Sequence, residues 1–193
     1  MGDDWRERKK ARTRERIQRE ALRLFGEQGY DDTTVAAIAA AAGVSHTTFF
    51  RYFPTKEDVV LGDDYDPLIE EALRSRPRSE GLVERVRGAV GEGLAAVYAA
   101  DRDALLARVH LVLGAPALRA RLWEQMQDTQ SLFERALADT DDPAEVPMRV
   151  RIVAAACLAV LVTALTEWSR GEGGAELPEL VDDAFLQLSA ELA

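Results

Sequence analysis

The sequence predicts an all-α protein of about nine helices, with a small three-helix domain at the N-terminus and a larger helical bundle at the C-terminus. Two observations support this prediction. Apolar residues recur at helical spacing along most of the 193 residues, and no stretch shows the sustained alternation of a β-strand. We divide the chain into a domain at residues 1–56, a connecting helix at 57–77, and a second domain at 78–193, because Pro77 marks a boundary.

The first helix is predicted at residues 12–28. Four apolar residues recur there at i, i+4, i+7 and i+8, which places them on one face: Ile17, Ala21, Leu24 and Phe25. Gly29 follows the last periodic residue and ends the helix.

Two short helices are predicted next, at residues 35–42 and 46–53, with a tight turn between them. Thr33 and Thr34 are good N-cap residues for the first of these helices and Ser45 for the second, and Gly43 suits the positive φ of a helix end. Two short helices joined by a Gly-containing turn are typical of the helix-turn-helix unit, whose second helix enters the DNA major groove. On this pattern alone, an ordinary corner between two helices is an equally good interpretation.

Helices are also predicted for the rest of the chain. Pro54 suits the start of a fourth helix, and Asp66 with Pro67 bends or interrupts it. The later helices are predicted at residues 68–76, 80–100, 102–113, 116–138, 146–170 and 178–192. Loops or turns are predicted at 139–143 and 171–174.

Residues 14–59 resemble the N-terminal domain of the tetracycline-repressor-like (TetR/AcrR) family of bacterial transcription regulators. The resemblance rests on ALRLFGEQGY at the end of the first helix, TTV at the start of the second, the AGVS turn, and FFRYFPTKED. It implies a ligand-responsive homodimeric repressor that binds a palindromic DNA operator and is released by a small-molecule effector. The aliphatic, Trp and Phe side chains expected inside the C-terminal domain favour a largely apolar effector. The alternatives are an activator, or a helical small-molecule sensor or carrier that does not bind an operator.

The third helix is the predicted reader of base edges. Its exposed N-terminal face carries side chains able to contact bases: His46, Thr47, Thr48 and Arg51. The resemblance implies that another set contacts phosphates and fixes the docking register: Thr34, Ser45, Thr48, Tyr52 and Lys56. Phe50 stands where many relatives carry Tyr, so it lacks the hydroxyl but offers a ring to a thymine methyl.

Charge is divided unevenly along the chain. Residues 5–56 contain eleven basic and six acidic residues, a net charge of +5, which leaves −15 elsewhere from the total of −10. A basic segment attached to an acidic body favours DNA binding through that segment. Its basic arm at residues 5–14 is either a solubilising tail or a DNA contact, and Arg12 and Arg14 are the best candidates for contact.

The C-terminal domain is expected to hold the effector. Polar and bulky side chains on or beside the apolar helix faces are candidates for the pocket: Tyr98, Leu105, His110, Trp123, Met126, Gln130, Phe133, Cys157 and Thr163. Each of them is also explained as an ordinary core residue. Four arginines are candidates for binding an anionic head such as an acyl-CoA phosphate: Arg102, Arg108, Arg119 and Arg121.

The resemblance places the dimer contact on the last two helices. Apolar stripes there are the predicted interface residues: Leu158, Leu161, Val162, Leu165, Val181, Phe185, Leu188 and Leu192.

Composition argues against other classes of protein. One cysteine excludes an intrachain disulfide, and two histidines with one cysteine are too few for a His/Cys metal site. The acidic residues Asp63, Asp64 and Asp66 read as a solvated face, and no catalytic or nucleotide-binding motif is present, so we expect neither an enzyme nor a cofactor. The N-terminus lacks the apolar segment of a signal peptide, and the longest apolar run, residues 152–165, is short for a membrane span. A cytoplasmic protein is therefore expected.

Overall fold

The computed structural model describes residues 2–62 and 66–191, and in these residues it is helical, with no strand. The first helices are α1 (Gly2–Gln28), α2 (Val35–Ala41), α3 (His46–Tyr52), α4 (Asp58–Leu61) and α5 (Asp66–Ser75). The later ones are α6 (Leu82–Ala100), α7 (Arg102–Gly114), α8 (Pro116–Ala138), α9 (Met148–Arg170) and α10 (Leu177–Glu191). The predicted all-α class is confirmed.

The chain forms two compact units. The first contains the described residues up to Gly62 together with His110–Arg121, and the second contains the remaining described residues. The segment predicted as one connecting helix at 57–77 contains α4, which belongs to the first unit, and α5, which belongs to the second. Asp63 and Asp64 lie outside the described residues.

The core of the first unit is built on the predicted face of α1. Ile17, Ala21, Leu24 and Phe25 are all buried, as their helical spacing indicated. α1 packs on α2 and α4, and α2 packs on α3.

α1 begins earlier than predicted. The basic arm at residues 5–14 continues the helix, because its Arg, Lys and Ala residues favour helical backbone even without an apolar stripe. Local side-chain contacts follow the helical spacing: the Lys9 ammonium lies 5.1 Å from the Trp5 ring centroid, and the Thr13 hydroxyl donates to the Lys9 carbonyl at 2.9 Å.

The core of the second unit lies among α5, α6, α9 and α10, with the C-terminal part of α8. Its largest fully buried side chains are Phe133, Trp168 and Phe185. By length and composition α9 is one helix of the described chain that could cross a bilayer. Core helices of water-soluble proteins pass the same test, and one face of α9 lies in this core through Ala154, Cys157 and Trp168.

Candidate nucleic-acid interface

Side-chain caps begin both helices of the motif. The Thr34 hydroxyl accepts a hydrogen bond from the Ala37 N–H at 3.2 Å, and the Ser45 hydroxyl accepts one from the Thr48 N–H at 3.1 Å. Between the helices Gly43 has a φ of +62°, a conformation that side chains other than Gly rarely adopt. These three positions therefore fix where α2 begins and ends and where α3 begins.

α3 separates a buried face from an exposed one. Phe49 is fully buried in the middle of the helix, and Phe53 is fully buried immediately after it. On the opposite face His46, Thr47 and Arg51 are exposed. The helix therefore presents these side chains outward from a fixed base, as recognition of base edges requires.

Phe50 adds an apolar element to the exposed face. Its side chain is 41% exposed, and its ring meets His46 edge-on with centroids 4.8 Å apart. The Phe49 ring contacts the Phe50 ring from the core side, also edge-on, with centroids 5.4 Å apart. Aromatic contacts on both sides give Phe50 a defined position for packing against an apolar group.

Lys56 is engaged within the protein. Its ammonium donates to the backbone carbonyls of Tyr30 at 2.6 Å and Thr33 at 2.9 Å, and it lies 4.0 Å from the Tyr30 ring centroid. Lys56 therefore joins the segment after α3 to the loop between α1 and α2. A phosphate contact by Lys56 stays a prediction.

A short hydrogen bond lies beside Lys56, from the Tyr30 hydroxyl to the Glu57 carboxylate at 2.6 Å. Burial, followed by this bond and the nearby negative charge, raises the pKa of Tyr30 well above its ordinary value. Burial also tends to raise the pKa of Glu57, but hydrogen bonds led by the one from Tyr30 outweigh it and lower the pKa below 4.5.

The two arginines predicted to contact DNA differ in their surroundings. Arg12 is exposed, whereas Arg14 is half-buried and donates from Nη1 to the carbonyl of Tyr52 at 3.1 Å. The Arg14 guanidinium lies 4.4 Å from the Phe53 ring centroid, and that of Arg51 lies 5.5 Å from the ring of Tyr52. Sequence reasoning missed this environment because charge alone does not reveal a side chain's partner.

The predicted pocket residues do not form one group in the structure. Phe133 and Cys157 are fully buried in the second unit, and burial raises the pKa of the Cys157 thiol to about 12. Tyr98 and Leu105 are half-buried against the same core, and Met126 and Gln130 are half-buried on α8.

Three of the predicted pocket residues do not lie inside the second unit. Trp123 is 71% exposed and Thr163 is also exposed, so neither faces the interior of its unit. The spacing of apolar residues on their helices did not show which side meets the core. His110 belongs to the first unit, not to the second.

A polar cluster in the second unit escaped sequence analysis. The Tyr98 hydroxyl donates to Glu176 at 2.9 Å and accepts from Arg102 Nε at 3.0 Å. Arg102 also donates to the Gly173 carbonyl and lies over Trp168, 5.9 Å from its ring centroid. The cluster ties the α6–α7 junction to the turn between α9 and α10. No local sequence pattern signals it, because its members come from distant parts of the chain.

Three of the eight predicted dimer residues are buried in their own unit, and a dimer contact by the other five stays a prediction. Val181, Phe185 and Leu158 are at most 6% exposed and fill the core of their own unit. Leu161, Val162, Leu165 and Leu188 are half-buried, and Leu192 lies outside the described residues. Helical periodicity correctly identified apolar faces but could not distinguish an intrachain core from a contact with a partner. In the part of the chain described, no group of three or more His, Cys, Asp or Glu side chains is arranged to hold a metal.

Two parts of the chain match known protein families. Residues 17–62 match the family described as bacterial regulatory proteins, tetR family, and residues 80–193 match the family described as MftR C-terminal domain. The second match alone covers more than half of the chain.

Individual proteins give the same result. The chain is 34% identical over 179 residues to the HTH-type transcriptional regulator TcmR of Streptomyces glaucescens, covering 86% of this chain and 77% of that protein. It is 25% identical over 194 residues to the putative mycofactocin biosynthesis transcriptional regulator MftR of Mycobacterium tuberculosis, covering 96% and 93%. The crystal structure of Thermus thermophilus FadR, a repressor in complex with lauroyl-CoA, superposes with a TM-score of 0.56 at 29% identity, covering 91% and 92%.

Proposed function

The chain belongs to the tetR family of bacterial transcription regulators, and we propose that it is a homodimeric repressor of a palindromic operator, released by a largely apolar effector. The family consists of DNA-binding regulators rather than enzymes. The observation that carries the proposal is the exposed face of α3, with His46, Thr47 and Arg51 pointing outward above a fully buried Phe49. A cytoplasmic location belongs to the same proposal, because a repressor must reach the chromosome.

In this proposal Arg51 reads a base. An exposed arginine near the end of a recognition helix can donate two hydrogen bonds to guanine O6 and N7. Phe50, held between His46 and Phe49, packs against a thymine methyl. Thr34, Ser45, Thr48 and Tyr52 are proposed to contact phosphates. The Thr34 hydroxyl caps α2 and retains a proton to donate to a phosphate oxygen. The Ser45 hydroxyl caps α3 and shares a 2.8 Å hydrogen bond with the Thr48 hydroxyl, which leaves one of their two protons for a phosphate.

We place the dimer contact on the exposed faces of α9 and α10. Small and apolar side chains on α9 recur there at i, i+4, i+7, i+11 and i+15: Met148, Ile152, Ala155, Ala159 and Thr163. Ile152 is 61% exposed in the single chain, and Leu186 on α10 is 44% exposed. An apolar stripe left uncovered along a long helix favours a protein contact, and small residues permit close helix packing.

The effector is proposed to bind in the second unit. No residue of α7 is buried, and its Leu105, Leu106 and Val109 lie only half-buried against the core of the second unit. A weakly packed apolar helix offers room for an apolar ligand after small displacements. The T. thermophilus FadR structure contains lauroyl-CoA, which supports an acyl-CoA as the first effector to test.

The direct test is selection of double-stranded DNA from a random library by the full-length protein, followed by sedimentation of the complex. Enrichment of a two-fold symmetric site, bound by two chains, is the expected result. A protein that enriches no sequence would be a sensor or carrier without an operator. Enrichment of a site bound by one chain would contradict the dimer.

A further inference from the structure

Arg14 lies where three parts of the first unit meet. Its Nη1 donates to the carbonyl of Tyr52, the last residue of α3, at 3.1 Å. Its guanidinium carbon lies 4.4 Å from the ring centroid of Phe53, which is fully buried directly after α3. On the side of α4, a Cβ added at Gly62 would lie 3.0 Å from Arg14 Nη2.

These contacts suit a structural cation better than a ligand for phosphate. The last carbonyls of a helix lack partners within the helix, and a cation at that end also interacts favourably with the helix dipole. The planar guanidinium can lie on an aromatic ring while its edge donates hydrogen bonds. Reaching a DNA phosphate would require Arg14 to give up the Tyr52 carbonyl and the Phe53 ring.

The position of α3 depends on this arrangement. Its N-terminus is fixed by the Ser45 cap, but its C-terminal end has no comparable side-chain cap of its own. Arg14, from the middle of α1, supplies that second point of attachment. Arg51 immediately precedes Tyr52, so a shift at this end moves the proposed base-reading side chain.

We propose that Arg14 is a positioning residue that holds the C-terminal end of α3 for base discrimination and does not contact phosphate. The proposal rests on the proposed function, since it assumes that α3 reads DNA. It replaces the expectation that Arg14 contacts DNA and leaves the expectation for Arg12 in place. Gly62 belongs to the same arrangement, because a side chain there would crowd Arg14 Nη2 and the Asp58 carbonyl.

The test measures affinity for a selected operator and for unrelated DNA over a range of salt concentrations, using full-length protein. Arg14→Gln should lower operator affinity about tenfold, the scale of one lost hydrogen bond to a charged group. Its affinity for unrelated DNA and its salt dependence should stay at the wild-type values. Arg12→Gln is the matched control: its loss should extend to all sequences and reduce the salt slope by about one.

Arg14→Lys separates charge from geometry. Lysine keeps the positive charge but lacks the planar fork, so base discrimination should remain impaired. Full recovery by Arg14→Lys would show that only charge matters and would overturn the proposal. A reduced salt slope for Arg14→Gln would do so as well, because it would identify a phosphate contact.

Further controls separate a loss of folding from a loss of base discrimination. Thermal unfolding identifies temperatures at which wild type and variants are both folded, and affinities are compared only there. If Arg14→Gln does not fold, Arg14→Lys and Gly62→Ala are used in its place. Both should discriminate less between operator and unrelated DNA, and the salt dependence of their DNA affinity should be unchanged. Normal discrimination by those variants contradicts the proposal. If the wild type itself shows no sequence preference, the proposed function fails, which is a distinct outcome.

Discussion

Positively charged side chains that donate to backbone carbonyls join separate segments of the first unit. Lys56 bridges the carbonyls of Tyr30 and Thr33, and Arg14 binds that of Tyr52. Both residues also face aromatic rings, which strengthens the contacts where water is partly excluded. Basic residues in this unit therefore serve two purposes, because some order the fold and others remain available to DNA.

The Tyr30–Glu57 hydrogen bond makes the stability of the first unit dependent on pH. The pKa of Glu57 is lowered in the folded state, so its contribution exists above the ordinary value of 4.5 and is lost as pH falls through the folded pKa. The pKa of Tyr30 is raised, so its contribution exists below 10.0 and is lost as pH rises toward the folded pKa.

We expect Tyr30→Phe to reduce the free energy of unfolding by about 1–2 kcal/mol at neutral pH, because one hydrogen bond to a carboxylate is lost. The difference from wild type should shrink below pH 4.5 and above pH 10. Urea unfolding across this range measures it. Tyr52→Phe is the control, since Tyr52 is half-buried in the same unit, and it should give a smaller difference. A Tyr30→Phe effect independent of pH would contradict this account.

Between elements, one buried arginine joins three helices of the second unit. Arg85 on α6 is 5% exposed and donates to the carbonyl of Leu73 near the end of α5 at 3.1 Å. It also donates to Ala136 and Leu137 near the end of α8, at 3.4 and 3.2 Å. Two helix C-termini together compensate one buried charge, so Arg85 fixes the relative positions of α5, α6 and α8.

Removal of this guanidinium should be costly. Arg85→Met leaves buried carbonyls without donors and should lower the free energy of unfolding by about 1–3 kcal/mol. Arg87→Met is the control on the same helix: its ion pair with Asp182 is only partly buried, and its loss should cost less than about 1 kcal/mol. Denaturant unfolding compares the two variants, and equal losses would mean that Arg85 does not join the helices as described.

Substitutions that replace an apolar side chain by an acidic one test the proposed dimer contact on α9 and α10. Ile152→Glu should give a folded monomer, since Ile152 is exposed in the single chain and its replacement leaves the core intact. Trp123→Glu is the control, an equally exposed aromatic on α8, and should remain dimeric. Phe185→Asp should instead unfold the second unit, because Phe185 is fully buried. Sedimentation distinguishes the three outcomes, and an intact Ile152→Glu dimer would place the contact elsewhere.

Local periodicity accounts for the elements that were predicted correctly. The apolar face of α1 and the caps of α2 and α3 follow from residue spacing and backbone preference. The first turns of α1 were missed because they have no apolar stripe. Phe185 was predicted at the dimer contact but is fully buried in its own unit, because an apolar face does not reveal what covers it. Arg14 and Lys56 depend on partners 38 and 26 residues away in sequence, which no local pattern shows.

For the whole molecule, the uneven charge suits a basic reader joined to an acidic body. The positive charge of the basic segment favours contact with phosphates, and the negative charge of the remainder disfavours it. An effector bound in the second unit can change operator affinity only to the extent that it binds the DNA-bound and DNA-free conformations of the protein with different affinities.

Lauroyl-CoA provides the test of that coupling. It should lower operator affinity by the same factor by which operator lowers lauroyl-CoA affinity, because coupling between two binding sites is reciprocal. Titrations of each ligand with and without the other measure both factors, and free coenzyme A is the control for the apolar chain. Identical lauroyl-CoA affinity in both cases would rule it out as the effector. If only small hydrophilic compounds released the operator, the proposed apolar effector would be wrong.

The central claim is that the exposed face of α3 reads DNA sequence, and selection of DNA by the Arg51→Ala variant tests it most directly. Wild type and variant are each used to enrich sites from a random library at one salt concentration. The variant should recover the wild-type site with relaxed preference at one position in each half-site, and should bind that site with a loss of about 1–3 kcal/mol. Equal weakening on operator and random DNA, with unchanged base preferences, would contradict the claim.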